Sequence, residues 1–402
     1  MMTAPSGIFP LLFWVVVARA AVGGTGPGNA GLAQAIPSDP AVPGTNGWGN
    51  LVINRLHLQA PNSMLEFAET PDQRTVWNFP GSDWAAVRSI LEKAALSARQ
   101  MEEISLPARR VVSRTGLALM PSLEFLLSLS PASRQVIHEE LGRHDANPDH
   151  RKPLLIFGDF EEWVKGSGLS GMQRDLVRSL LWRKGNLSAF SDLSALVERA
   201  ASSQEVVEAR RFMTRRHSYL VRVSAPTPAS RTQFVAYWSA GGRNPDALPL
   251  LDALSGVAGR DSVDLALLLP PLARERLYSF PALKDAVAGR LPDCHWTSLN
   301  FFGMKPEPYY LDSRVSFLEL MQGYTEVRNP SELGDLVCFV SAEGAVLHTC
   351  VHVADDLVFT KNGQSLFSPW LIMRRGEVED IYRPAGATSV RILRLKEAGG
   401  AP

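Results

Sequence analysis

The stretch "SELGDLVCFVSAEGAVLHTCVHVADDLVFTKNG", Ser331 to Gly363, carries the clearest fold signal in the chain. Its runs rich in β-branched and aromatic residues are Leu336–Val340, Ala345–Val353 and Leu357–Thr360. Turn residues separate them at Ala342-Glu343-Gly344 and Ala354-Asp355-Asp356. That pattern predicts three consecutive antiparallel strands. A hairpin centred near Gly344 sets Cys338 opposite Cys350, within reach of a cross-strand disulfide in an oxidising compartment. The other reading is a reduced pair of strand residues.

Upstream lies "LPDCHWTSLNFFG", Leu291 to Gly303. A helix starting there has Asp293 as its N-cap and Cys294 in its first turn, where unpaired backbone amides favour an anion. Such a setting lowers a thiol pKa and makes a thiolate nucleophile. A cysteine used as a small buried hydrophobe is the competing explanation. The downstream strands supply what a nucleophile needs: a histidine on one strand and a polar residue on the next, in the order nucleophile, base, orienter.

Together, "DC" opening a helix, then "GDLVCF", then "HTCVHVADDLVF" resemble the NlpC-type branch of papain-fold cysteine peptidases and amidases. The resemblance covers about the last third of the chain, residues 275 to 383. It implies an α+β fold in which a helix carrying the cysteine packs on an antiparallel sheet. Carried over by residue, Cys294 is the nucleophile and His348 the base, preferred over His352 on the same strand. The third residue is Asn362, with Thr360 as the alternative. The chain departs from the family where His295-Trp296 stand in place of Ser-Gly, and Tyr278 is a loose counterpart of the family's tyrosine. The implied chemistry is hydrolysis of an amide bond, with peptidoglycan stem peptides or another peptide as substrate and without a cofactor.

Two other readings compete. Cys294, Cys350, His348 and His352 could hold zinc, although a C-x-H strand lacks the paired spacing of structural zinc sites. A catalytically inactive papain-like fold would instead serve as a binding or structural module.

The rest of the chain sets the context. "IFPLLFWVVVA", Ile8 to Ala18, is too short to span a bilayer but long enough for the apolar region of a secretory signal. Small-residue patterns follow at Ala18-Arg19-Ala20 and Ala33-Gln34-Ala35. Residues 1–35 are thus expected to be a signal and processing region, giving a secreted or periplasmic protein with no membrane span once mature. Residues 36–50, rich in Gly, Pro and Asn, read as a linker. Residues 51–263 read as mainly α-helical, 264–390 as the NlpC-like domain and 391–402 as a tail. The helical expectation rests on "GSDWAAVRSILEKAALSARQMEEI", capped at Ser82 or Asp83, and on "SPASRQVIHEELGRH", with Pro131 in its first turn. No internal repeat stands out. "HEELGRHDANPDH" gathers His138, Glu139, Glu140, His144, Asp145 and His150, but its spacing is not that of a helical zincin face. It reads as a solvated helix end, and no metal site is assigned.

The chain has 402 residues, 45% hydrophobic and 20% charged, enough for a globular core. Lys plus Arg and Asp plus Glu both number 41, so no bulk charge draws it to nucleic acid.

Overall fold

The structure is a computed structural model and describes residues 39–42, 47–67, 74–224, 230–256 and 262–396. The apolar run at 8–18 and its cleavage patterns lie outside the described residues. Among the described residues no helix is long and apolar enough to cross a membrane. The fold is mixed α and β, and every sheet is antiparallel.

Within the expected linker, β1 (Asp39–Val42) pairs with β2 (Leu51–Leu58). The next part of the chain differs from the helical expectation, because it holds two copies of one β-α-α-β-β-α-α unit. In the first copy, β3 (Trp77–Pro80) leads to helices Trp84–Lys93 and Ala98–Ile104. The hairpin β4 (Arg110–Ser113) and β5 (Gly116–Leu119) follows, then helices Leu123–Ser128 and Pro131–Leu141. In the second copy, β6 (Leu154–Ile156) leads to helices Phe160–Val164 and Gly171–Leu180. The hairpin β7 (Trp182–Lys184) and β8 (Leu187–Phe190) follows, then helices Leu193–Glu198 and Ser203–Met213. The sheet orders, β3-β5-β4 and β6-β8-β7, match. Strands of three or four residues are too short to register as period-two alternation, and so the repeat is hard to read from sequence.

Helix starts follow their caps. Asp83 accepts from the Ala86 amide and Ser130 from the Ser133 amide at 3.0 Å, each such cap contributing about 1 kcal/mol. The segment around His138 is not a solvated helix end: His138 is fully buried and His150 nearly so.

After the repeats, β9 (Arg216–Ser224) lies between β2 and β10 (Ser262–Asp264), giving the order β1-β2-β9-β10. The C-terminal part forms a six-stranded sheet from β11 (Tyr324–Val327), β12 (Leu336–Ser341), β13 (Val346–Ala354), β14 (Leu357–Lys361), β15 (Trp370–Arg374) and β16 (Ala387–Leu395). Its order is β11-β16-β12-β13-β14-β15, so the last strand is inserted beside β12 and reaches into the expected tail. The turn before β12 needs Gly334, whose φ of +99° is left-handed and whose Cβ would stand 2.2 Å from Phe302.

Both faces of this sheet are covered, which is why β12 and β14 are apolar almost without alternation. Val337, Phe339, Cys350, Val358 and Met373 join the core of the two repeats. Leu336, Cys338, Val351, Phe359 and Trp370 join a second core with β2, β9, Trp238, Trp296 and Phe301. Both cores therefore draw on residues from either side of position 264. Ser218 on β9 links two sheets: its hydroxyl donates to the Ile372 carbonyl and accepts from the Ile372 amide, both at 2.9 Å.

The first residue pair of the "GD" motif also carries stability. Asp335, 1% exposed, accepts from Arg394 on β16 through Nε at 2.8 Å and Nη2 at 2.7 Å, and from the amides of Ser331 and Glu332. Burial pushes this carboxyl up, but the guanidinium and the two amides outweigh it and hold it below the usual carboxylate range. Arg394→Ala is expected to leave a buried, half-satisfied carboxylate and to destabilise the fold by about 3 kcal/mol. Urea unfolding checks this; a midpoint equal to wild type would show that the pair is not structural.

Candidate functional site

The site lies where the Cys294–Leu299 helix meets β13 and β14. Asp293 is its N-cap, accepting from the Trp296 amide at 2.8 Å, so Cys294 opens the helix as its sequence predicts. The helix lies on the sheet face that carries Thr349, Phe359, Lys361 and Trp370. His295 Nδ1 meets Thr349 Oγ1 at 2.9 Å, and Trp370 Nε1 donates to Thr297 Oγ1 at 3.0 Å. The Thr349 contact gives His295 a hydrogen-bond partner on β13.

β13 and β14 are paired from Val351 and Phe359 onward, and toward His348 and Thr360 the backbone pairing stops. Cys294 opens the helix that packs on both strands. The Thr349 amide lies close enough to its sulfur to favour the thiolate. Burial, and then the Asp293 carboxylate, push the Cys294 thiol up to about 12. The amides of Thr349, Cys294 and His295 pull the other way. The resting group is therefore a protonated thiol, not the thiolate expected from its place at a helix start.

His348 projects to the face opposite the helix. Its ring stacks on Tyr382, with centroids 4.1 Å apart and planes 13° apart, and next to Phe339. Burial, and then His295, hold its pKa well below the ordinary value, so the ring is neutral. Its Nε2 lies 2.9 Å from Thr360 Oγ1, and Thr360 donates to Asn362 Oδ1 at 3.3 Å. Thr360, not Asn362, is thus the residue that touches the imidazole, and Asn362 stands one bond further along. The direction of this chain fixes a tautomer. With the Thr360 proton directed to Asn362, the Thr360 oxygen accepts from His348 Nε2–H, which leaves a lone pair on Nδ1. That Nδ1 is buried and has no hydrogen-bond partner. No hydrogen bond joins it to Cys294.

Other expected groups do not converge here. His352 Nε2 meets the Tyr237 hydroxyl at 3.3 Å, and its ring packs on Trp48. Its pKa is lowered to about 4 by burial. Among the described residues, Cys294, Cys350, His348 and His352 form no metal-ligand cluster. Of the two readings of Cys338 and Cys350, the reduced pair is the one observed, and the expected opposition of the two is corrected. All three cysteines are free, and the register pairs Val337 with Cys350 and Cys338 with Thr349. A shift of one residue from the Gly344-centred hairpin sends Cys338 and Cys350 to opposite faces.

Two neighbours escaped the sequence reading. Lys361 is fully buried, donates to the Gly363 and Ser365 carbonyls, lies over Trp370 and has its pKa lowered to about 7, chiefly by burial. A lysine in an apolar strand was its one signal. Tyr382, the plate beneath His348, comes from the helix Arg375–Tyr382 and had none.

On the repeat side of the sheet a cavity of about 960 Å³ is lined by Asn362, Met373 and Tyr382 on one wall and by Asn147, His150 and Asp192 on another. Cys294 and His348 do not line it. No family model, curated protein or solved structure matches the chain.

Proposed function

We propose that the protein is a cysteine hydrolase that cleaves an amide bond, with Cys294 as nucleophile and His348 as base. Thr360 orients the imidazole, and Asn362 orients Thr360. The observation that carries this reading is the chain from His348 Nε2 through Thr360 to Asn362, which leaves an unpartnered Nδ1 lone pair on the strand whose Thr349 amide lies near Cys294 Sγ. The thiol is protonated at rest, so its proton passes to the neutral imidazole as attack proceeds, rather than from a preformed ion pair. For transfer to occur, Cys294 must turn toward Nδ1 through the opening between β13 and β14. The amides of Cys294, His295 and Thr349 then face the developing oxyanion, and the imidazolium protonates the leaving amine. Water releases the acyl group. By its resemblance the substrate is a peptide, with peptidoglycan stem peptides proposed first and export as the setting.

A second reading, an inactive papain-like module that binds a partner, is favoured by the raised thiol pKa and by the missing bond between Cys294 and His348. An acylating amide-mimetic electrophile separates the two. The hydrolase reading expects labelling of Cys294 ahead of Cys338 and Cys350, absent in Cys294→Ala and slowed in His348→Ala. Equal labelling of all three cysteines, or none at Cys294, would leave only the binding module.

A further inference from the structure

We propose that His138, His150 and Asp192 bind a divalent transition-metal ion, with Zn²⁺ the best match to the donors. The three residues come from distant parts of the chain. His138 is on the helix Pro131–Leu141 of the first repeat, His150 is in the connection, and Asp192 immediately precedes the helix Leu193–Glu198 of the second repeat. One ligand atom from each lies within 4.8 Å of the others, and His138 Nε2 is 3.9 Å from Asp192 Oδ1.

The first argument is the state of these atoms. Both ring nitrogens of His138, Nε2 of His150 and both carboxylate oxygens of Asp192 are buried without a hydrogen-bond partner. Leaving so many polar atoms unsatisfied in one place costs several kcal/mol unless something binds them. Arg134 does not satisfy the carboxylate: its Nη atoms donate to the carbonyls of Leu126, Leu129 and Leu181.

The second argument is independent and comes from the repeat. Ser122 precedes the matching helix Leu123–Ser128 and caps it by accepting from the Phe125 amide. Asp192 holds the corresponding place and is an excellent capping residue, yet its side chain accepts no helix amide. The carboxylate is instead directed to the two imidazoles.

The donor set decides the class of ion. Two imidazoles and a carboxylate suit zinc and its neighbours over Mg²⁺ or Ca²⁺, which prefer oxygen ligands. Ligands on a tetrahedral zinc stand about 3.3 Å apart, so the cluster closes by about an ångström on binding. His150, Asp192 and the nearby Asp149 line the 960 Å³ cavity, which provides an entry path and a free coordination position. Trp77 and Trp182 wall the other side, with their ring centroids 6.2 and 5.4 Å from His138.

The test uses the full chain after chelator treatment, titrated with Zn²⁺ against a chromophoric chelator and, separately, with Co²⁺. Wild type is expected to take up a single saturable equivalent and to show the strong visible bands of tetrahedral cobalt without a thiolate charge-transfer band. Asp192→Asn and His150→Gln should each weaken binding by at least about tenfold, while Cys294→Ala binds as wild type. Because none of these readouts involves amide hydrolysis, failure here is distinct from failure of the hydrolase reading. Absence of saturable uptake by wild type would overturn the proposal, as would a thiolate band or undiminished uptake in both ligand variants. Should either variant not fold, the wild-type cobalt spectrum decides.

Discussion

If the protein is the proposed hydrolase, Cys294→Ala is expected to abolish release of peptide fragments from peptidoglycan, by at least about 10³-fold, because the proposed acyl transfer runs through this thiol. His348→Ala should fall almost as far if, as proposed, its imidazole accepts the thiol proton. Thr360→Val is the sharper probe. It keeps the volume of a fully buried side chain and removes only the oxygen that accepts from His348 Nε2. A loss of about 10- to 100-fold in kcat/KM is expected, the scale of an orienting hydrogen bond of about 1.5–3 kcal/mol. Asn362→Ala should cost less, because it acts through Thr360. Mass spectrometry of fragments released from cell-wall material measures all four. Wild-type activity that survives in Cys294→Ala would remove the nucleophile from its role, and activity lost in Asn362→Ala but kept in Thr360→Val would reverse the order of the orienting chain.

Acid is expected to unfold this protein unusually early. Six of its eight histidines, His57, His138, His150, His295, His348 and His352, have pKa values lowered chiefly by burial, to about 3 for His57 and His150 and about 4 for His352. Their unfolded forms gain protons as pH falls through 6.5, while the native forms stay neutral, so their contribution is present above 6.5 and is lost below it. Asp192, raised to about 7, and Asp149, raised to about 6, act in the opposite sense, because the native state of the metal-free protein holds their protons over the same range. Between pH 6.5 and 4.5 unfolding therefore takes up protons on balance, because the lowered imidazoles outnumber the two raised carboxyls, and stability falls with pH. Asp335, with its pKa depressed, adds a further loss only below 3.8. Calorimetric Tm values should fall steeply from pH 6.5 toward 4.5. A Tm constant between pH 7 and 5 would show that these imidazoles are not held neutral in the native protein.

The sequence was most legible where local chemistry dictates structure. Runs of β-branched and aromatic residues bounded by turn residues placed β12, β13 and β14 close to their observed ends, and Asp293 capped the helix that Cys294 opens. Serine and aspartate caps likewise marked helix starts at Asp83 and Ser130. The short strands of the two repeats were not legible, because three or four residues carry no period and the partners of β3 and β6 lie more than 30 positions away.

Within the candidate site the same division holds. Hairpin order brought His348 to Thr360 and Asn362, because β13 and β14 are neighbours, whereas Cys294 comes from a separate helix and makes no hydrogen bond to His348. Register was beyond reach: a one-residue offset separated Cys338 from Cys350, and no local signal distinguishes the two pairings. Burial was also decided only in three dimensions. It raised the Cys294 thiol that a helix start alone would have lowered, and it brought Lys361 toward neutrality. It also converted the polar run around His138 into part of a buried cluster. Sequence determined the elements and their caps through interactions within a few residues. Tertiary structure decided the charges, because desolvation depends on what distant segments pack above each group.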